Sequence, residues 1–112
     1  MKVRSVLVVL SLMSMLVLVG CSTPTGPSEN DALAQCLTEN NAVMYGTEWC
    51  SHCKDQKAAF GDSFQHVNYV DCDKDRGACD AAGVKGYPTW KINGQNYPGG
   101  QPLERLASLA GC

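Results

Sequence analysis

The chain has 112 residues, of which 45% are apolar, and a formal net charge of −2 at pH 7. This length allows one small domain at most. Lys2 and Arg4 are two of only nine basic residues, against eleven acidic ones, so the rest of the chain is more acidic than the whole. Such a domain lacks the basic surface that DNA or RNA binding requires, and we exclude nucleic acid as a partner.

The first twenty residues have the pattern of a secretory signal peptide. Lys2 and Arg4 precede residues 5–19, which contain no charge, proline or glycine and are too few to span a membrane as a helix. Leu18-Val19-Gly20-Cys21 resembles the lipobox of bacterial lipoproteins. This implies that residues 1–20 are removed and that Cys21 carries a lipid. The alternative is an ordinary secreted protein in which Cys21 is an unpaired thiol.

Residues 21–30 contain Pro24, Gly26 and Pro27 and no large apolar side chain. This composition predicts a flexible tether. With a lipid on Cys21, the tether would hold a domain of residues 31–112 at a membrane of the bacterial cell envelope, facing the periplasm or the exterior. Disulfides persist in such compartments.

The spacing of apolar residues after the tether predicts alternating helices and strands, with Trp90 and Tyr45 in the core. In chain order we expect a helix over Asp31–Asn40, a buried strand over Ala42–Thr47, a helix over His52–Phe60, a strand over His66–Cys72, a helical turn over Arg76–Ala82, a hairpin of Thr89–Ile92 and Gln95–Tyr97 around Asn93-Gly94, and a helix over Pro102–Leu109. This order predicts an α/β fold with a central β-sheet flanked by helices.

Six cysteines follow the tether, which in a small exported domain predicts disulfides ahead of a metal site. Cys50 and Cys53 form a Cys-X-X-Cys pair between a predicted strand and a predicted helix. The first thiol then lies at a helix N-terminus, where free N–H groups and the helix dipole favour the thiolate. His52 between the cysteines adds a second group that stabilises a thiolate. We therefore predict Cys50, Cys53 and His52 as catalytic residues.

Other chemistries fit the cysteine pair less well. A structural zinc site needs two further ligands at suitable spacing, which Cys72 and Cys79 do not provide. A c-type haem needs a histidine where Lys54 stands. A permanent Cys50–Cys53 bond stays open as a structural alternative, although so small a loop gains little stability from closure. We expect no metal and no cofactor besides the cysteines.

Two motifs resemble the thioredoxin superfamily, namely Trp49-Cys50-Ser51-His52-Cys53-Lys54 and Tyr87-Pro88-Thr89. Together with Tyr45-Gly46, Phe60-Gly61 and the stretch Trp90-x-Ile92-Asn93-Gly94, they resemble more narrowly the thioredoxin-like domain that is fused to, or partnered with, bacterial and plant homologues of vitamin K epoxide reductase. The resemblance covers about residues 31–112. It implies a thioredoxin-like fold for this domain.

The resemblance also implies roles for single residues. Cys50 would form the mixed disulfide with a substrate, and Cys53 would resolve it. Pro88 matches the cis-proline of the family, next to which the backbone of Tyr87 would pair with an extended substrate. Trp49 would shield the thiols. We therefore expect Trp49, Tyr87 and Pro88 to bind the substrate.

One position departs from the family. Its members commonly bury an acid six residues before the first active cysteine, where the acid assists proton transfer to and from the resolving thiol. Here that position is Met44. Glu48 is charged but expected to be exposed, so we do not expect it to take over this proton transfer. The direction of the reaction is therefore left open.

The remaining cysteines, Cys36, Cys72, Cys79 and Cys112, allow three pairings. We expect structural disulfides Cys72–Cys79, which would pin the second strand to the next helical turn, and Cys36–Cys112, which would join the two ends of the domain. A competing interpretation makes Cys72–Cys79 redox-active, as an electron relay.

The sequence thus predicts a monomeric, membrane-tethered thiol–disulfide oxidoreductase that acts on protein thiols and disulfides. A redox protein of the membrane would exchange electrons with it. The resemblance favours a quinone-linked homologue of vitamin K epoxide reductase that lacks its own thioredoxin-like domain, with a transmembrane thiol reductant exporter second. The alternative function is a non-catalytic binding or scaffold lipoprotein on the same fold.

Overall fold

The computed structural model describes residues 29–112 together with Gly20. The predicted signal peptide, the lipid on Cys21 and most of the predicted tether lie outside the described residues. Within them, no helix has the length and apolar character that crossing a membrane would require.

The described chain contains four strands, four α-helices and one 3-10 helix. They are α1 (Glu29–Glu39), β1 (Val43–Gly46), α2 (Ser51–Phe60), a 3-10 helix (Gly61–His66), β2 (Tyr69–Asp71), α3 (Arg76–Ala81), β3 (Thr89–Ile92), β4 (Gln95–Pro98) and α4 (Leu103–Ala110). The strands form one sheet in the order β2-β1-β3-β4. β1 is parallel to β2 and antiparallel to β3, which is antiparallel to β4. The predicted α/β architecture with a central sheet is therefore confirmed.

The predicted strand His66–Cys72 is too long at both ends. Its first residue belongs to the 3-10 helix, which ends where the Val67 N–H donates to the Phe64 carbonyl at 2.9 Å. Phe64 packs against Tyr69, with ring centroids 5.6 Å apart. The backbone at His66 is therefore helical, whereas the alternation of apolar residues predicts an extended chain there.

The first helix begins at Glu29, two residues before its predicted start at Asp31. Asp31 thus lies inside the helix, where its carboxylate accepts a hydrogen bond from the Ser63 hydroxyl and lies 3.9 Å from the His66 ring. The contacts of α1 with the 3-10 helix thus decide the direction of this side chain.

The core lies between the sheet and the helices. Its largest fully buried side chains are Trp90, Phe60, Leu37, Met44, Ile92 and Leu106. The prediction for Trp90 is confirmed. Tyr45, which we also expected in the core, is only half-buried, because it alternates with Met44 along β1 and points to the opposite face of the sheet.

The hairpin prediction is confirmed. β3 pairs with β4 from Ile92 and Gln95 outward. Asn93 and Gly94 have φ angles of 51° and 78°, which suit a two-residue turn with both central residues in the left-handed region.

Two disulfides cross-link the domain. Cys36 of α1 is bonded to Cys112 after α4, with Cα atoms 6.1 Å apart. Cys72, just after β2, is bonded to Cys79 of α3, with Cα atoms 5.7 Å apart. The first bond joins the two ends of the described domain, and the second closes a loop beside the sheet.

We expect the double variant Cys36→Ala, Cys112→Ala to be less stable than the parent. The bond spans 76 residues, and the chain-entropy model assigns about 4 kcal/mol of unfolding free energy to a loop of this length. Urea denaturation followed by tryptophan fluorescence measures the loss. The same comparison under reducing conditions is the control, since neither protein then has the cross-link. An unchanged midpoint in oxidising buffer would contradict the expectation.

Candidate active site

Cys50 occupies the N-cap position of α2. Its backbone is extended, with φ −71° and ψ 120°, and its sulfur accepts a hydrogen bond from the backbone N–H of Cys53 at 3.2 Å. The first N–H groups of a helix have no partner inside the helix. The sulfur of Cys50 therefore takes the place that a capping oxygen has in other helices, next to the positive end of the helix dipole.

The two active-site sulfurs differ in burial. Cys50 is 7% exposed, and Cys53 is completely buried; neither is part of a disulfide. Burial and the contact with Cys50 raise the pKa of the Cys53 thiol to about 11, against the opposing influence of the Thr47 backbone and of Lys57. Cys50 is consequently the sulfur that an approaching molecule meets first, and Cys53 is kept protonated behind it.

Gly46 at the end of β1 explains how Cys53 is buried. A Cβ atom at this position would lie 2.8 Å from the Cys53 sulfur and 3.4 Å from Cε2 of Tyr69. Only glycine therefore allows α2 to pack this closely on the sheet. In the sequence, Gly46 stands out only through the family resemblance.

Trp49, which precedes Cys50 in the chain, contacts Tyr87, a second residue predicted to bind substrate. The Tyr87–Pro88 peptide bond is cis, and Pro88 is buried. Trp49 is 66% exposed, and its indole meets the ring of Tyr87 edge to face, with centroids 6.0 Å apart. Trp49 and Tyr87 thus form an aromatic rim next to Cys50.

Asp73 is a rim residue that the sequence did not reveal. Its carboxylate accepts a hydrogen bond from the indole N–H of Trp49 at 2.8 Å. Asp73 lies in the loop that the Cys72–Cys79 disulfide closes. The disulfide loop therefore reaches the active site and orients Trp49.

His52 is exposed on α2. With Gln56, Gln101 and Pro102 it lines a shallow groove of about 320 Å³. Among the hydrogen bonds of the described residues, none connects His52 to a sulfur. The predicted action of His52 on the Cys50 thiolate stays a prediction.

Charged and aromatic side chains from α2, from β2 and from the loop before α2 lie close together. The Lys57 ammonium is 3.0 Å from a carboxylate oxygen of Glu48 and 4.1 Å from the centroid of the Tyr69 ring. The Tyr69 hydroxyl is buried without a hydrogen-bond partner. Burial raises the pKa of Tyr69, and the charges of Glu48 and Asp71 add to this effect. Lys57 and Tyr69 were not predicted as site residues.

Metal binding has no support in the described part of the chain. No three of its His, Cys, Asp and Glu side chains are arranged so that they could hold a metal ion.

The sequence model of the thioredoxin family matches residues 28–110. Because this match spans most of the chain, the protein belongs to the thioredoxin family, and its fold is thioredoxin-like. The thiol-disulfide oxidoreductase LTO1 of Arabidopsis thaliana is 42% identical over 89 residues, which cover 71% of this chain and 24% of that protein. The chain is thus a homologue of a thiol–disulfide oxidoreductase and spans about a quarter of its length.

Two solved structures are also similar. One is oxidized glutaredoxin 2 from Chlamydomonas reinhardtii, with 21% identity and a TM-score of 0.45 over 73% of this chain and 92% of that one. The other is oxidised thioredoxin from Plasmodium falciparum, with 22% identity and a TM-score of 0.41 over 77% and 90%. The family match carries the assignment of the fold.

In the reduced protein, we expect iodoacetamide at about pH 8 to modify Cys50 and to leave Cys53 unmodified, as read by mass spectrometry of peptides. Modification of Cys53 should rise as the pH approaches about 11. Unfolding in denaturant is the control, because both thiols are then exposed. Equal modification of both cysteines in the folded protein at the lower pH would contradict the expectation.

The same pKa shift makes the stability of the reduced protein depend on pH. Folding raises the pKa of the Cys53 thiol above its ordinary value of 9.0. The contribution of this thiol to the free energy of unfolding is therefore fully present below pH 9.0 and is lost as the pH rises through about 11.

Proposed function

We propose that this protein is a membrane-tethered thiol–disulfide oxidoreductase that acts on other proteins through Cys50 and Cys53. The observation that carries the proposal is the pairing of two free sulfurs at the start of α2, one capping the helix near the surface and one buried behind it. Membership of the thioredoxin family supports the same chemistry.

The reaction uses the two sulfurs in turn. The Cys50 thiolate attacks a substrate disulfide, so that a mixed disulfide forms and the first substrate thiolate leaves. The Cys53 thiol loses its proton and attacks the Cys50 sulfur, which breaks the mixed disulfide and releases the second substrate thiolate. Two electrons pass from the cysteine pair to the substrate, and the substrate thiolates take up two protons. The reverse sequence oxidises a substrate dithiol.

The rim around Cys50 suits an extended polypeptide as substrate. In the described chain, the backbone N–H and carbonyl of Tyr87 take part in none of the backbone hydrogen bonds, so they can pair with a substrate strand. The exposed face of Trp49 offers an apolar surface for a side chain that flanks the substrate cysteine.

The membrane anchor is supported by sequence alone. The apolar segment 5–19 and the lipobox-like end at Cys21 favour a lipid on that cysteine. Because α1 already begins at Glu29, a flexible tether of residues 22–28 then keeps the domain about 13–16 Å from the membrane on average. This distance suits a redox partner embedded in the same membrane, for which we propose a quinone-linked homologue of vitamin K epoxide reductase. The tether raises the effective concentration of the partner thiols.

We expect a Cys53→Ser variant to accumulate mixed disulfides with envelope proteins, because the bond formed at Cys50 cannot be resolved. Non-reducing gels after acid quenching reveal these adducts. The matched control is the double variant Cys50→Ser, Cys53→Ser, in which the adducts must disappear. If Cys53→Ser gives no adducts, the non-catalytic scaffold function is favoured instead.

We expect a Cys21→Ser variant to keep its thiol–disulfide exchange in solution. In cells, it should exchange electrons with its membrane redox partner more slowly than the parent protein does. After a pulse of dithiothreitol to cells, alkylation gels follow the return of the Cys50–Cys53 pair to its steady redox state. Purified parent and variant should react alike with a small disulfide, which serves as the control. Equal rates of return in cells would contradict the membrane partner.

A further inference from the structure

The resolving step has an electrostatic problem in this protein. Cys53 must become a thiolate before it can attack the mixed disulfide, but its burial disfavours the charged form. Members of the family commonly place an acid at the position of Met44, and Met44 is fully buried here and has no proton to exchange. Some other group must favour loss of the Cys53 proton.

Lys57 lies one helical turn after Cys53 on α2. Residues separated by four positions share a face of a helix, so the ammonium group is on the same side of α2 as the buried sulfur. The Lys57 side chain is only 22% exposed, so water screens its charge less than that of a surface lysine. A backbone hydrogen bond at Thr47 lowers the pKa of Cys53, and the positive charge of Lys57 adds a smaller effect in the same direction, against that of burial.

Two contacts fix the ammonium in this place. A carboxylate oxygen of Glu48 is 3.0 Å away, and the face of the Tyr69 ring is 4.1 Å away, within the range of a cation–π interaction. The edge of the same ring and the Cys53 sulfur both lie close to the Gly46 backbone. Tyr69 therefore connects the ammonium spatially to the sulfur.

The other charged groups around Cys53 do not replace this contribution. Cys50 at the start of α2 raises the pKa of Cys53 and so opposes a second thiolate. The carboxylates of Glu48 and Asp71 are negative and act on the neighbouring Tyr69. On β3, the ammonium of Lys91 lies 3.3 Å from the carbonyl oxygen of Ala82. Lys57 supplies the positive charge that acts on the sulfur.

We propose that Lys57, held by Glu48 and Tyr69, promotes deprotonation of Cys53 in the resolving step and so replaces the acid missing at Met44. The inference rests on the proposed function. Lys57 is a positioning residue, because it acts on the reacting sulfur only through its charge. The Cys53 proton passes to solvent, the bond between Cys50 and the substrate breaks, the Cys50–Cys53 bond forms, and the leaving thiolate takes a proton from solvent.

Stopped-flow reaction with an aromatic disulfide that releases a coloured thiolate separates the two steps. The test uses the reduced full-length protein with Cys21→Ser, so that Cys50 and Cys53 are the reacting thiols. The first equivalent of thiolate reports attack by Cys50, and the second reports resolution by Cys53. In Lys57→Gln we expect the second phase to be about tenfold slower near neutral pH, with its pH profile about one unit higher. The first phase should keep its rate.

Lys54→Gln is the matched control, since it removes the same charge from an exposed position of the same helix and should leave both phases unchanged. Lys57→Arg keeps the charge and must restore the second phase and its pH profile. The inference is overturned if the second phase of Lys57→Arg is as slow as that of Lys57→Gln. It is also overturned if Lys57→Gln slows both phases equally, because Lys57 then has only a structural role.

The result also separates this inference from the proposed function. A parent protein that releases no thiolate, or only the first equivalent, contradicts the oxidoreductase itself. A parent that shows both phases beside a Lys57→Gln variant with an unchanged second phase overturns the role of Lys57 alone.

Discussion

Gly46 lets the backbone of β1 approach the Cys53 sulfur more closely than any other residue would allow. This contact determines how closely the first turn of α2 packs on the sheet. With Cys53 held against the sheet, Cys50 stays at the outer end of the turn, where its sulfur caps the helix. The difference in burial between the two chemically identical thiols thus originates in the absence of a side chain at position 46.

A buried amide fixes the rest of α2. The side-chain oxygen of Gln56 accepts hydrogen bonds from the indole N–H of Trp90 at 3.1 Å and from the backbone N–H of Gln101 at 2.6 Å, and its NH₂ group donates to the Gln101 carbonyl at 3.0 Å. One side chain therefore joins the active-site helix to β3 and to the segment before α4. A buried polar group with all these partners gives α2 a single defined orientation on the sheet.

Local signals made much of this structure predictable. The Cys-X-X-Cys pair, the Asn93-Gly94 turn and the order of helices and strands all depend on residues that are close in sequence. The contributions of Lys57, Tyr69 and Asp73 depend on packing between distant elements, and nothing in their local sequence marks them. Tyr69 in particular belongs to a strand whose start was predicted three residues too early, because the alternation of apolar residues does not distinguish a 3-10 helix from an extended chain.

The hydrogen bond between Trp49 and Asp73 has a consequence for how the active site is divided. Trp49, which we propose to face the substrate polypeptide, is oriented from a covalently closed loop, whereas the two free sulfurs belong to α2. In the proposed function, recognition of the polypeptide therefore depends on the disulfide loop, and the thiol chemistry depends on α2. Under that proposal, a different loop of equal length at residues 73–78 changes the choice of polypeptide, while the sulfur chemistry stays as it is.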